Sequence, residues 1–237
     1  MSEAAVFRAE QGETLRRMER ASNYNRWLLD RAAPYLGERV LDVGAGIGTF
    51  SEQISDRRHV VALEPDPAFL PELRSRFAGR TNVEVVADEL EGLDAGSLPA
   101  PFDTIVCFNV LEHIADDRAA LARLYALLEP GGSLLALVPA HPAAFGSMDE
   151  VLGHERRYSK QVLAGRLEQA GLEVERLGHV NPVGLLGWFL AARIARSSQI
   201  PSGPLLLFDR CVPLLAALDR LRLPVGLSLW AVARRPC

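Results

Sequence analysis

The segment Arg39-Val40-Leu41-Asp42-Val43-Gly44-Ala45-Gly46-Ile47-Gly48-Thr49 carries the densest chemistry in this sequence. Three glycines at alternate positions let the backbone turn sharply and let a ligand lie against bare main chain. A helix opening near Thr49 would aim its free N–H groups at that turn. Asp42 stands at the end of the apolar run. A turn serving only phosphate gains nothing from a carboxylate, because like charges repel; a turn serving a cation gains. The charge therefore favours a nucleoside bearing an ammonium and a sulfonium. The rival is an NAD or flavin site, whose fingerprint is G-x-G-x-x-G. Here the spacing is Gly44-x-Gly46-x-Gly48, with Thr49 where the third glycine would stand. Glu64 would serve an NAD ribose equally well, but Asp42 and Asp88 would repel a pyrophosphate.

Proton transfer at neutral pH is most often the work of histidine. His59 precedes an apolar run and reads as surface. His179 ends one and has no evident partner. His113, His141 and His154 are the candidate catalytic groups. His141 follows an apolar run that ends at Pro139. His154 lies in the charged segment Gly146–Ser159, with Asp149, Glu150, Glu155, Arg156, Arg157 and Tyr158. Such a cluster is costly to bury unless its charges pair. Within it, Arg156, Arg157 and Tyr158 offer groups to orient an anionic or phenolic acceptor, and His154 or His141 offers the base.

These residues need a frame, and the apolar pattern supplies one. Strands are predicted at Val40–Val43, Val60–Leu63, Val83–Ala87, Thr104–Phe108, Ser133–Val138, Leu172–Leu177 (ending near Val180) and Leu227–Ala233. Helices are predicted at Glu13–Tyr35, Thr49–Ser55, Phe69–Phe77, Asp117–Leu128 and Ser159–Ala170, with Glu129-Pro130-Gly131-Gly132 as a turn. Near-continuous apolar strands alternating with helices imply an α/β fold, a doubly wound and mostly parallel sheet of seven strands covered on both faces. Ligands of such sheets sit at the carboxyl ends of the strands. Asp42, Glu64, Asp88, Asn109 and the Ala140-His141 pair stand at those ends.

At 237 residues and 49% hydrophobic, the chain can bury one substantial core. A net charge of −4 does not suggest a nucleic-acid binder. Cys107, Cys211 and Cys237 are scattered; they suggest neither disulfides nor a metal centre, and a reducing cytoplasm fits. Residues 1–20 lack the apolar core of a signal peptide, and no run is long enough for a membrane span.

The glycine turn and the segments after it resemble the class I S-adenosylmethionine-dependent methyltransferases, in their type 11/12-like small-molecule branch. Val40–Ser51 is similar to motif I. Leu63-Glu64-Pro65-Asp66 resembles the acidic end of the second strand. Val86-Ala87-Asp88-Glu89-Leu90 is similar to the adenine loop, and Phe102–Ile114 resembles motif IV. Leu128–Leu134 is similar to the turn before the fifth strand. The resemblance covers about Val40 to Pro139 and implies S-adenosyl-L-methionine as cofactor. It implies that Gly44, Ala45 and Gly46 carry the cofactor's amino-acid part, that Glu64 with Pro65 takes the ribose diol, and that Asp88, Glu89 and Leu90 hold the adenine. It further implies that Asn109 and Val110 meet the ammonium and that Tyr24 closes over the cofactor. The expected reaction is methyl transfer to oxygen or nitrogen of a small-molecule acceptor, apolar or of natural-product type. The competing classes are an NAD(P)-dependent oxidoreductase and a non-catalytic binder of the same cofactor.

The expected organisation is one methyltransferase domain over residues 1–237, with a helical cover over 1–36. An apolar insertion over 182–223 stands where the family has a simple hairpin. Helices are expected there around Leu185–Ile194 and Leu205–Leu221, with Arg193, Arg196, Arg210, Arg220 and Arg222 interleaved. Three readings of the insertion stand side by side: it packs on the main core, it forms a homodimer contact or the wall of a greasy acceptor pocket, or it lies on a membrane surface. Asp209 and Asp219 speak against an anionic membrane.

Overall fold

The computed structural model describes residues 12–93, 98, 101–189, 202–218 and 223–237. Its strands are β1 (Arg39–Val43), β2 (His59–Leu63), β3 (Val83–Val86), β4 (Phe102–Phe108), β5 (Leu128–Pro139), β6 (Glu173–Val180) and β7 (Ser228–Arg234). They form one seven-stranded sheet in the order β3-β2-β1-β4-β5-β7-β6. Every pairing is parallel except the two made by β7. The carboxyl ends of all strands but β7 therefore open on one edge. Strand order reverses between β1 and β4, which is where an open α/β sheet offers its crevice.

The central strands are continuous apolar runs because both faces are covered. Leu41, Val43, Ile105, Cys107, Leu134 and Ala136 point to one layer, with helices α5 (Asp117–Leu127) and α7 (Lys160–Gln169). Val40, Val106, Phe108, Leu135 and Leu137 point to the other, with α2 (Ser22–Ala32) and α9 (Ser202–Leu218). The remaining helices are α1 (residues 12–19), α3 (Thr49–Gln53), α4 (Leu70–Arg76), α6 (Ser147–Leu152) and α8 (Pro182–Phe189). Side chains cap the two helices of the first layer: Asp116 accepts from the Ala119 N–H at 3.0 Å, and Ser159 from the Val162 N–H at 3.2 Å. Among the described residues no helix is long and apolar enough to cross a membrane.

Several expectations are corrected. The single helix over Glu13–Tyr35 is broken at Ala21, whose ψ of 64° is not helical. Buried Asn25 stabilises the break by donating its side-chain amide to Met18 O at 3.0 Å and Glu19 O at 3.4 Å, carbonyls that end α1. Tyr35 closes a 3-10 turn rather than the helix. The expected turn at Glu129–Gly132 is the first part of β5. There Gly131 takes φ +81° and donates to Arg235 O at 2.8 Å, Arg235 donates to Gly132 O at 2.9 Å, and the pairing with β4 slips between Phe102 and Thr104. Part of the charged segment after β5 is the short helix α6. In the 182–223 region α8 starts at Pro182 and α9 at Ser202; the expected helix ends at Ile194 and Leu221, with Arg193, Arg196, Asp219, Arg220 and Arg222, lie outside the described residues.

Gly48 locks the glycine turn to α4. Its φ is +89°, and a Cβ there would stand 2.8 Å from Leu73 Cδ1 and 3.0 Å from Phe77 Cε2, both side chains buried. Gly48→Ala should therefore lower folding stability by about 1–3 kcal/mol, through backbone strain and overpacking together. A urea melt showing no loss would contradict this packing.

Candidate active site

The glycine turn is stitched to the end of β2. Gly44 and Ala45 donate to Leu63 O at 2.8 and 3.0 Å, and Gly46 donates to Glu64 Oε2 at 2.7 Å. Glu64 Oε1 accepts from the Asp66 N–H at 2.8 Å. Each Glu64 oxygen is thus held by one backbone N–H and keeps a further lone pair for a ligand. The backbone at Gly44 has no room for a side chain, since a Cβ would lie 2.5 Å from Val110 Cγ2. Asp42 is buried and accepts from Ser51 Oγ at 2.5 Å. Burial raises its pKa to about 7, with the Glu64 charge adding to the effect, and burial raises that of Glu64 as well. Two buried acids side by side without a cation between them are a cradle suited to a positive ligand.

The loop after β3, expected to hold the adenine, differs in detail from expectation. Asp88 and Glu89 are exposed and Leu90 is buried. The Glu89 N–H is donated to Asp88 Oδ1 at 2.8 Å, so of the two amides expected to meet a ring nitrogen only that of Leu90 is open. Pro65 follows Glu64 and is exposed. Asn109, just past β4, has φ +55° and donates its N–H to Leu137 O at 2.8 Å. Tyr24 is a core residue: its ring lies 5.6 Å from that of Trp27 and 6.0 Å from that of Phe208, and its N–H is donated to Asp209 Oδ1 at 2.9 Å.

Four of the five histidines fall into two separate pairs. His113 and His154 meet edge to face, ring centres 4.8 Å apart. His141 stacks on His179 at 4.9 Å, giving His179 the partner that the sequence did not reveal. His141 and His179 line a cavity of about 260 Å³ together with Ser159, Lys160 and Gln161. Burial, with His141 and Lys160 nearby, lowers the His179 pKa. His59, half-buried at the start of β2, lies 3.9 Å from Glu84.

The His113–His154 pair is assembled by a hook from α6 to Tyr158. Buried Asp149 accepts from the Gly146 N–H at 3.0 Å, from Arg157 Nε at 2.8 Å and from His154 Nδ1 at 2.8 Å. Burial alone would raise the Asp149 pKa, but the bonds from His154 and Arg157 hold it below the ordinary value. His113 Nδ1 lies 3.1 Å from Gly153 O. A carbonyl and a carboxylate only accept, so each ring carries its proton on Nδ1 and presents Nε2 outward. Desolvation of the ring by the groups packed around it, with the neighbouring His154, lowers the His113 pKa to about 4, although the residue as a whole is exposed.

Arg156, Arg157 and Tyr158, expected to offer groups to an acceptor, are engaged by partners within the chain. Arg156 donates to Ile114 O at 2.6 Å and Ala115 O at 2.8 Å. Arg157 is buried against Asp149. The Tyr158 hydroxyl donates to Asp117 Oδ2 at 2.9 Å, and burial beside that carboxylate raises its pKa. These three side chains fasten the hook to the sheet, because a buried charge must be paired.

Sequence reasoning missed Glu112 as a functional group. It is fully buried, and neither carboxylate oxygen has a hydrogen-bond partner among the described residues. Burial raises its pKa to about 8. Its signal was there: one acid among Val110, Leu111 and Ile114, immediately before His113.

Comparison with known proteins decides what this arrangement is. A methyltransferase-domain family model matches residues 41–134. A ubiquinone biosynthesis O-methyltransferase of Xanthomonas euvesicatoria pv. vesicatoria is 32% identical over 182 residues, 69% of this chain and 73% of that relative. The chain belongs to the S-adenosylmethionine-dependent methyltransferases. The methyltransferase in a complex with the Haloferax volcanii Trm112 methyltransferase activator shares the fold, with TM-score 0.69 at 18% identity over 98% of this chain and 96% of that one. So does the N-methyltransferase NodS from Bradyrhizobium japonicum WM9, solved with S-adenosyl-L-homocysteine, with TM-score 0.59 at 14% identity over 90% and 86%. The methyltransferase enzyme class and its S-adenosylmethionine cofactor replace the oxidoreductase reading.

The buried acid of this methyltransferase cradle carries a pH signature. Asp42 has a folded-state pKa of about 7 against an ordinary 3.8, so the native state binds more protons between those values. Stability should then fall as pH rises from about 4 to about 7. Asp42→Asn should flatten that slope, leaving the part due to Glu64 and Glu112, so that the variant gains on the parent by on the order of a few kcal/mol between pH 4 and pH 8. Parallel denaturant melts of both proteins against pH check this, and identical slopes would be the contrary result.

Proposed function

We propose that this methyltransferase transfers the methyl group of S-adenosylmethionine to a hydroxyl oxygen of a small, largely apolar molecule. The observation that carries the reading is the cluster of Glu112, His113 and His154 beside the end of β4. An amine acceptor needs only to arrive neutral, whereas a hydroxyl is a poor nucleophile until its proton has somewhere to go. The two outward Nε2 atoms and an unpartnered carboxylate are groups of that kind. The O-methyltransferase name of the Xanthomonas relative supports the same choice, and the cytoplasm fits a chain whose cysteines suggest no disulfide framework.

When bound, S-adenosylmethionine supplies a methyl carbon on a sulfonium, open to in-line attack. The chain's part is to align and to desolvate. Glu64 offers two lone pairs to the ribose diol, a charge-strengthened geometry. The main chain of Gly44, Ala45 and Gly46 offers a bare surface, with Asp42 and the Asn109 carbonyl as countercharge for the ammonium. Asp88 and the Leu90 N–H face the adenine side. Val110, against Gly44, closes the wall between cofactor and acceptor. The helical cover at the amino end and the insertion over 182–223 belong to the same domain in this reading, and His141 with His179 lines the outer reach of the acceptor side.

Calorimetry with S-adenosylhomocysteine tests the cofactor half. Glu64→Gln should weaken binding by about 1.5–3 kcal/mol, the scale for hydrogen bonds to a charged group. The acceptor half is tested with apolar phenols and matched amines under labelled S-adenosylmethionine. Label on the phenols, slowed strongly in His154→Ala with S-adenosylhomocysteine affinity kept, is the expected outcome. Label on the amines alone, or full activity in His154→Ala, would overturn the hydroxyl reading.

A further inference from the structure

The three residues that crowd the end of β4 share a geometry that proton transfer alone does not require. One ligand atom from each of Glu112, His113 and His154 lies within 4.8 Å of the other two. Glu112 is fully buried with both oxygens unpartnered, an arrangement that costs free energy unless something fills it. Both imidazoles have Nδ1 committed, His113 toward Gly153 O and His154 toward Asp149, which leaves Nε2 as the free donor on each.

We infer that Glu112, His113 and His154 form a binding site for a divalent transition-metal ion of the zinc type. The donor set is two imidazole nitrogens and one carboxylate oxygen, the composition of zinc sites that keep an open position. Magnesium and calcium prefer all-oxygen shells, so two imidazoles select against them. The outer shell is already built. Asp149 accepts from His154 Nδ1 and is itself held by the Gly146 N–H and Arg157 Nε, the carboxylate–histidine arrangement that fixes a metal ligand's tautomer. The two halves of the site are joined by the Glu155 N–H donating to Glu112 O at 2.7 Å. Ligands on one zinc at about 2.1 Å lie no more than about 4.2 Å apart, so the donors must draw in by a few tenths of an ångström to about one. His113, exposed and on a 3-10 turn, is the residue free to make that movement.

The consequence rests on the hydroxyl-acceptor reading above. With the cation bound, the two Nε2 atoms and the Glu112 carboxylate would be its ligands in place of proton acceptors, and the cation would draw electron density from the acceptor oxygen, whose O–H bond breaks with the proton passing to water. The oxygen pair then forms the bond to the methyl carbon while the carbon–sulfur pair returns to sulfur. The charges of the acidic cradle stay out of this step.

The test is calorimetric titration of the full chain with Zn2+, alongside Co2+ absorption spectra, on the unaltered protein and on Glu112→Gln, His113→Gln, His154→Gln and His59→Gln. One Zn2+ per chain is expected. Each of the first three variants should weaken it at least 10-fold, while His59→Gln, outside the cluster, binds as the parent does. Co2+ should give the visible bands of a low-coordinate nitrogen–oxygen site, lost in the same three variants. Should Glu112→Gln fail to fold, exposed His113→Gln carries the decision. Absence of stoichiometric Zn2+ in the parent, or equal affinity in parent, His113→Gln and His154→Gln, would overturn the site. S-adenosylhomocysteine binding measured on the same samples keeps the two readings apart: nucleoside bound and zinc refused sinks the metal alone.

Discussion

Carboxylates buried at the carboxyl edge of the sheet are the constraint on which this structure depends. Asp42, Glu64, Glu112 and Asp149 are all less than a tenth exposed. Each must find positive charge, hydrogen bonds or a proton. Asp149 finds its partners within the chain, and its pKa falls. Asp42 finds only Ser51 and Glu112 no hydrogen bond among the described residues, and burial pushes them to about 7 and about 8. Their contrast separates two uses of one chemistry. Asp149 is structural because arginine and histidine already satisfy it. The other acids hold a deficit that a ligand of the right charge removes, so binding is favoured by the relief of a penalty incurred in folding.

The apolar region after β6 is tied to the amino-terminal helices. Phe208 and Val212 of α9 join the core against α2, and Asp209 accepts from Asn23 Nδ2 at 3.1 Å as well as from the Tyr24 N–H. One face of α9 therefore packs on the main body. Leu206, Leu207 and Leu214 remain exposed, Leu214 at 76%. Tyr24 serves as the joint between the amino-terminal helices and α9. A separate set of rings, Phe50 on Phe108 and Phe108 on Trp230, joins α3 to the sheet.

Much of the cofactor half was legible because its signals are local. Strand, glycine turn and acid stand within ten residues of one another, and backbone conformation is dictated by the glycines themselves. The mostly parallel sheet followed from the alternation of strand and helix. The acceptor half was not legible in that way. His113 and His154 are 41 positions apart and meet only because α6 and its hook fold back onto the turn after β4. Arg157 and Tyr158 read as groups to orient an acceptor, yet Arg157 is buried on Asp149 and the Tyr158 hydroxyl is buried on Asp117. The break at Ala21 escaped notice because its cause, the Asn25 side chain reaching back to Met18 O and Glu19 O, leaves no trace in helical periodicity.

The two halves also differ in how they make room at the sheet edge. Around β1 the positive-φ positions are glycines, Gly44, Gly46 and Gly48, and nothing projects from them. Past β4, β5 and β6 the positive-φ residues are Asn109, His141 and Asn181, which are the non-glycine residues with that conformation among those described. A left-handed conformation at a residue with a side chain costs of order 1–3 kcal/mol and persists only where surrounding structure enforces it. Here the enforcement is visible: the Asn109 N–H goes to Leu137 O, the His141 N–H to Tyr158 O, and Asn181 Oδ1 accepts from Gly184 N. Glycine suffices where a ligand must rest on main chain. Where a side chain stands at a strand end, glycine cannot serve, and Asn109, His141 and Asn181 carry the strain instead.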